Sequence, residues 1–429
     1  MDVINWAGNH TITADRLVEA RSVEEARAVV ASSRHVRALG TRHAFNDLPD
    51  TAGTLVSVTG IAADPVLDED ARTVTVGGGT RYGDLAAWLD ARGWALHNLG
   101  SLPHISVAGA TATGTHGSGD ANGSLSTAVR GLELVGPGGD LRTIAADDPE
   151  LAGSVVALGA LGVVTRVTLA VEPTFAVRQD SYRDLPWDAF LEDVPAVTGA
   201  GYSVSVFTDW AADRIEQVWV KRRVTALLDR GARDPGAADA ASEDAPDLLG
   251  VRPSGVARPL IVPSDEVNTT VHLTPGPWNA RLPHFRFDAT PSVGDEIQSE
   301  YFVDRADAVP ALRAVRALAD RIAPVLAITE LRTVAADDLW LSMAAGRDSL
   351  AIHFTWHRDA AAVAAVLPLV EAALEPFGAR PHWGKVHLFD AARLAPLYPR
   401  FDDARELLAR RDPDGVFRNA ATERLLGQL

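Results

Sequence analysis

Glu330 and Arg332 stand two apart in the apolar run Ile-Thr-Glu-Leu-Arg-Thr-Val at 328–334, and His353 and Thr355 two apart in Ile-His-Phe-Thr-Trp at 352–356. On a strand, residues two apart project from one face. Lys385 follows Trp383 and Gly384 in a third strand-like segment. If these segments are neighbours, a carboxylate, two cations, an imidazole and a hydroxyl converge on one surface flanked by Trp and Phe. Buried strands rarely carry such groups together unless the groups pair or act. An internal ion-pair cluster of Glu330 with Arg332 or Lys385 is one outcome, and a substrate site is the other. The two cations differ in kind. A guanidinium stays charged, whereas burial beside Arg332 depresses a lysine pKa and makes the amine a candidate base. All but two of the 40 cationic residues are arginines, the other lysine being Lys221. It lies in Val-Trp-Val-Lys-Arg-Arg at 218–223, a strand-like basic cluster to which no role is assigned.

A second kind of chemistry is suggested by two glycine-rich turns. One is Leu39–Asn46, directly after a strand-like run; the other is Ser106–Gly119, fourteen residues nearly free of large side chains. Backbone amides in such turns can cradle a pyrophosphate if the chain comes close. The second stretch reads as a wall against something flat and extended, or simply as a loop between two strands. Familiar signatures are missing. There is no G-x-G-x-x-G dinucleotide fingerprint, no G-x-x-x-x-G-K-[ST] loop, no H-E-x-x-H and no G-x-S-x-G. His353 and His357 are four apart in a β-branched, aromatic context that suits structure or substrate contact better than a metal.

The elements that must carry these groups read as α+β. A capping box at Ser22–Glu25 opens a helix. Strands are expected at 34–39, 55–58, 73–76, 132–135 and 163–171, with a helix over 82–92 stopped by Gly93. Later, helices at 306–322 and 360–377 alternate with strands at 328–334, 350–356 and 386–388. Asp229–Val256, rich in Ala, Asp, Gly and Pro, reads as a long and mobile surface loop or linker. No internal repeat is present.

Composition narrows the function. Without cysteine there is no disulfide, thiolate nucleophile or cysteine-ligated metal. A formal net charge of −17 disfavours nucleic acid and anionic membranes as partners. No basic-then-apolar leader occupies Met1–Ala20 and no charge-free apolar window of spanning length is found, so the cytoplasm is the expected compartment. No coiled coil or long exposed apolar edge is evident, and a monomer is expected.

At the motif level the chain resembles the vanillyl-alcohol oxidase superfamily of FAD enzymes, and within it the bacterial alditol oxidase (xylitol oxidase) group. The matching stretches include Asn-Trp-Ala-Gly-Asn at 5–9, Gly-x-x-His-x-Phe-Asn at 40–46, Val-Gly-Gly-Gly at 76–79, and Ser-Leu-Pro-His-Ile-Ser-Val-Ala-Gly at 101–109. Others are Ala-Thr-Gly-Thr-His-Gly-Ser-Gly at 112–119, Leu-Pro-His-Phe-Arg at 282–286, His-Phe-Thr-Trp at 353–356 and Arg-Pro-His-Trp-Gly-Lys-Val at 380–386. Nearly all of the chain is covered except 229–271, which is expected to shape or cover the site entrance.

The resemblance implies a two-domain fold. An FAD-binding domain spans 1–174, a mixed-sheet substrate (cap) domain 175–385, and a segment at 386–429 returns to the first. It implies FAD linked covalently through His43, a nucleophilic imidazole beside the dimethylbenzene edge; the link raises the flavin potential. Gly40, Thr41, Arg42, Ala44 and Phe45 would meet the pyrophosphate. Arg42 and Ala44 depart from the Gly-His-Ser pattern, exchanging a hydroxyl for a cation. Ser101, Ser106, Gly109, Ala110, Thr111, Ala112, Thr113, His116, Gly117 and Val164 would line the cofactor. Ser101, Glu330, Arg332, His353, Thr355 and Lys385 correspond to the polyol pocket, with Arg332 and Lys385 catalytic at the C1 oxygen. Gly100, lacking a Cβ, would leave O2 a path. The implied reaction is oxidation of a primary polyol hydroxyl, with O2 reduced to H2O2. An aldonolactone oxidase or dehydrogenase of the same superfamily, or a flavin-free carbohydrate-binding protein, are the alternatives.

Overall fold

The computed structural model describes residues 3–61, 63–224, 245–257, 268–289 and 296–428. Its first part is built mainly on two sheets, beside two short strand pairs. β1 (Arg16–Glu19), β2 (Val36–Leu39) and β3 (Thr54–Ser57) form a parallel sheet in the order β1-β3-β2. Helix α1 (Val23–Ala31) crosses between β1 and β2, and Ser22 caps it by accepting from the Glu25 amide. β4 (Val66–Asp68), β5 (Thr73–Gly77), β6 (Val129–Val135), β7 (Leu141–Ile144) and β8 (Val163–Ala170) form an antiparallel sheet ordered β7-β6-β8-β5-β4. Strict alternation in β8 puts Val163, Thr165, Val167 and Leu169 inside, as expected of a strand with one covered face. Helix α2 (Tyr82–Asp90) follows β5, and a short helix α3 (Val107–Ala112) stands where the sequence suggested a loop. Its residues are Ala, Val, Gly and Thr, small enough for one turn and a half to lie close to other backbone.

The second part is one antiparallel sheet with eight strands among the described residues. They are β9 (Ala176–Pro186), β10 (Ser203–Thr208), β11 (Arg214–Val224), β12 (Gly276–Pro277), β13 (Glu296–Asp304), β14 (Leu326–Val334), β15 (Ser349–His357) and β16 (Arg380–Pro381). Their order is β12-β9-β11-β10-β14-β15-β13-β16. Helices α4 (Ala308–Arg316) and α5 (Ala360–Leu374) pack with each other and with β13. Sheet, helices and the five-stranded sheet share one large apolar core. The chain then returns to the first part through α6 (Phe401–Arg411) and α7 (Ala420–Leu426). There the Val36 amide donates to the Val416 carbonyl, and Asn419 Nδ2 donates to the carbonyls of Leu48 and Asp50.

Three expectations change. The helix expected at 306–322 is a 3-10 turn, α4 and a separate turn at Ala319–Ile322. No strand forms at 386–388, and Lys385 is in a bend. The Val386 amide reaches the Gln298 carbonyl, but the Leu388 amide is taken by the Glu371 carboxylate, so no ladder continues. Of the expected mobile loop, 229–244 lies outside the described residues. The rest packs on β9: Ser254 donates to the Ser181 carbonyl, and Tyr182 Oη to that of Pro246. Helix Ala360–Phe377 has the length and apolarity of a membrane span. It nevertheless carries Glu371, buried and bonded to Tyr301 and Arg393.

Candidate active site

A cavity of about 700 Å³ runs between the two parts. One wall is built by the turn after β2 and by α3. Gly40 and Gly109 pack closely there: a Cβ would stand 2.3 Å and 3.0 Å from Ser106 Oγ, so that hydroxyl would have to move. Thr41 Oγ1 accepts from the Ser106 amide at 3.1 Å and so ties the two turns together. Among the described residues, no acceptor takes the backbone N–H groups of Thr41, Arg42, His43 and Ala44. His43 stacks on Trp6, its Nδ1 lies 3.0 Å from Thr41 Oγ1, and its Nε2 is buried without a partner among the described residues. Burial, with His104 and Arg42 nearby, pulls the His43 pKa down to about 4 and keeps the imidazole neutral. Arg42 sits at φ 63°, with its guanidinium 3.5 Å from the Ile4 carbonyl.

The opposite wall is one face of the large sheet. Antiparallel register places Phe207, Glu330, His353 and Glu300 side by side across β10, β14, β15 and β13. The next row holds Ser205, Arg332 and Ala351. Ala351 carries only a methyl, which leaves the Arg332 guanidinium room to reach one strand further. Its Nη2 donates to Glu300 Oε1 at 2.6 Å, and its Nη1 is 3.4 Å from Ser101 Oγ. Lys385 enters from the bend and donates to Glu300 Oε2 at 2.6 Å and His353 Nδ1 at 2.7 Å. That leaves one of its three hydrogens for something else. His353 Nε2 is 3.0 Å from Thr355 Oγ1. The bend is itself held by the cofactor-side turn: Phe45 donates its amide to the Gly384 carbonyl, and Asn46 Nδ2 donates to the carbonyls of Trp383 and Lys385 at 2.8 Å.

Charge follows from this geometry. Burial by itself would raise both carboxyls. Lys385, Arg332 and His116 nevertheless hold Glu300 well below the usual range, and Arg332 and His284 do the same for Glu330. Burial lowers the Lys385 pKa, and Arg332 lowers it further, against Glu300. Burial and Lys385 pull His353 to about 4.

Glu330, Arg332, His353, Thr355, Lys385, Ser101 and Gly100 thus share one cavity with Gly40, Thr41, Arg42, His43, Ala44, Phe45, Ser106, Gly109, Ala110, Ala112, Thr113, His116 and Val164. Thr111 and Gly117 do not line it. Thr111 Oγ1 bonds back to the Val107 and Ala108 carbonyls, and Gly117 is pressed against Asn98 and Leu99. His116, expected only on the cofactor wall, places Nε2 3.1 Å from Glu300 Oε1.

Sequence reasoning missed Glu300, the hub of the cluster, along with Gln298, His284 and His382, which also line the cavity. The alternation Glu296, Gln298, Glu300 in an apolar run was the available signal for β13. Among the described residues no group of three or more His, Asp or Glu side chains is arranged to hold a metal ion.

The residues present suit a dinucleotide flavin. The wall of Gly40, Gly109, Ala108, Ala112 and Gly162 is small-chained, its turn offers four amides that are unpaired among the described residues, and beside it stands a neutral imidazole whose Nε2 has no partner among them.

Comparison with known proteins points to FAD-dependent enzymes. The FAD binding domain family matches residues 14–145, and the D-arabinono-1,4-lactone oxidase family matches 293–425. An alditol oxidase from a Streptomyces species is 45% identical over 99% of both chains. An L-gulono-1,4-lactone dehydrogenase from Mycobacterium tuberculosis is 30% identical over 99% of this chain and 98% of its own. In fold, the chain superposes on cholesterol oxidase from B. sterolicum with a TM-score of 0.75 at 15% identity, covering 99% of this chain and 96% of the other.

Proposed function

The chain belongs to the alditol oxidase family of FAD-dependent oxidoreductases, and on that premise we propose that it oxidises the primary hydroxyl of a short neutral polyol, such as xylitol or sorbitol, to the aldehyde. The observation that carries this reading is the buried face on which two carboxylates, two cations and an imidazole stand within one cavity. A polyol has many hydroxyls and no charge, and a closed site for it needs donors and acceptors at fixed spacing, because unpaired polar groups are costly.

Glu330 keeps one oxygen without a close hydrogen-bond donor: Oε1 is 2.7 Å from His284, while Oε2 is 3.6 Å from Arg332 Nε. That oxygen accepts from a substrate hydroxyl. Arg332, permanently protonated, faces the negative charge that develops on the reacting oxygen. In its neutral form, favoured by burial and by Arg332, Lys385 Nζ keeps two hydrogens for Glu300 and His353 and takes up the hydroxyl proton on its lone pair. Ser101 and Thr355 orient the rest of the chain. When bound, FAD supplies the two-electron acceptor that takes the hydride from the substrate carbon and returns the electrons to O2 as H2O2. In this reading His43 carries the covalent link, Gly40–Phe45 hold the pyrophosphate, and Gly100 leaves a path for O2.

Two measurements test the reading. Flavin reduction should be faster with xylitol or sorbitol than with L-gulono-1,4-lactone, with H2O2 formed under air; preference for the lactone would overturn it. Acid-precipitated protein should stay yellow, and His43→Ala should release its flavin to the supernatant; colour lost equally from both would remove the covalent link.

A further inference from the structure

Lys221, which sequence reasoning left without a role, is buried (1% exposed) on β11, on the same sheet face as Ser205 and Arg332. It touches no carboxylate among the described residues. Its ammonium donates to the Leu282 carbonyl and to His284 Nδ1 at 3.0 Å, with the Pro283 carbonyl at 3.5 Å. An ammonium has three hydrogens and no lone pair. While Lys221 is charged, His284 Nδ1 accepts from it and the imidazole proton sits on Nε2, the nitrogen 2.7 Å from Glu330 Oε1, a carboxylate oxygen that can only accept. His284 is buried against Phe207 and Trp219, and burial together with Lys221 pulls its pKa to about 4, so it is neutral at ordinary pH. The groups that face Lys221 are His284, His272, Glu330 and Arg332, with neutral Gln179 and Ser203 on the flanking strands.

We propose that Lys221 is a positioning residue for substrate recognition: by donating to His284 Nδ1 it fixes the Nε2–H tautomer, which occupies Glu330 Oε1 and leaves Oε2 as the oxygen presented to a substrate hydroxyl. Without the lysine, His284 is free to carry its proton on Nδ1. Its Nε2 lone pair would then face a carboxylate, and Glu330 would lose its donor and turn. Tetrahedral donors on a slim stem suit two carbonyls and a ring nitrogen better than a planar guanidinium does, which fits a lysine here in an arginine-rich chain. The recognition part of the inference rests on the alditol reading; the tautomer does not.

The test separates the two. Selective 15N-histidine NMR of the flavin-loaded protein should show His284 protonated on Nε2, and Lys221→Met should shift the proton to Nδ1 or to a mixture. Nδ1–H in the wild type, or an unchanged tautomer in Lys221→Met, would overturn the proposal. In stopped-flow reduction by xylitol, Lys221→Met should weaken the apparent Kd about tenfold or more and change the limiting rate by less than about threefold. His284→Gln carries a fixed N–H donor, so in that background Lys221→Met should change Kd by less than about twofold. An equal loss in both backgrounds would point to packing and sink the relay. If no polyol reduces the flavin while His284 keeps its proton on Nε2, the alditol reading falls and the Lys221–His284–Glu330 geometry stands.

Discussion

Glu300 and Glu330 flank the same strand, in one row with His353 between them, yet each is served by a lysine in a different way. At Glu300 the lysine is in direct contact: Lys385 Nζ bonds Oε2, and Arg332 and His116 share Oε1. Both oxygens are engaged, and Glu300 is the counter-charge beside two buried cations. At Glu330 the lysine stands one residue back, with His284 between, and one carboxylate oxygen stays open. Lys385 keeps a partial window to the cavity at 12% side-chain exposure, whereas Lys221 has none. Without a touching carboxylate, Lys221 is drawn by burial to a pKa of about 7. The same three residue types therefore make a directly paired cluster at Glu300 and an indirect, histidine-mediated one at Glu330. What separates them is whether the lysine or the imidazole is nearest the carboxylate.

Removing Lys385 should produce the largest effect if this contrast is right. Lys385→Met should cut the limiting rate of flavin reduction about a thousandfold or more with the fold and flavin retained; a near-normal rate would give both lysines the same status. Glu300→Gln strands two cations and should cost about 3–5 kcal/mol of stability, read as a large drop in Tm. Glu330→Gln should be milder in stability and act on binding, weakening xylitol by about 10–100-fold through loss of a charged acceptor. If the two substitutions destabilise equally, the division between counter-charge and acceptor is wrong.

The last prediction is one of pH. His284 and His353 sit at about 4 when folded, against an ordinary 6.5. Above about 6.5 both states are neutral. As pH falls the unfolded chain takes up protons that the folded one refuses, so stability should decline from about pH 6.5 towards 4. Tm should follow that slope, and His284→Gln should flatten part of it; a Tm flat over this range would mean the imidazoles are charged and the relay is misassigned.

Much of the site was legible because its signals are local. Period-two alternation placed Glu330 with Arg332 and His353 with Thr355 whatever their neighbours, and the glycines at 40 and 109 announced close backbone approach. Lys385 was found for its residue type, but not its setting: it lies in a bend held by Asn46, a contact across 339 positions of sequence. Glu300 went unnoticed because a carboxylate in an alternating strand is ordinary until its partners are known. His284 sat in a recognised stretch, yet nothing local says that its two nitrogens lie between Lys221 and Glu330.

The sequence by itself determined which side chains share a face of each strand, where the backbone must come close, and that a lysine rather than an arginine stands at 221 and 385. Tertiary structure alone decided that β13 pairs with β15, that Ala351 lets Arg332 cross to Glu300, and that one lysine meets its carboxylate directly while the other meets a histidine. The reason is physical. Side-chain direction follows from backbone geometry, which each segment carries within itself. Strand pairing and register are set by the burial of whole faces, and that is a property of the assembled sheet.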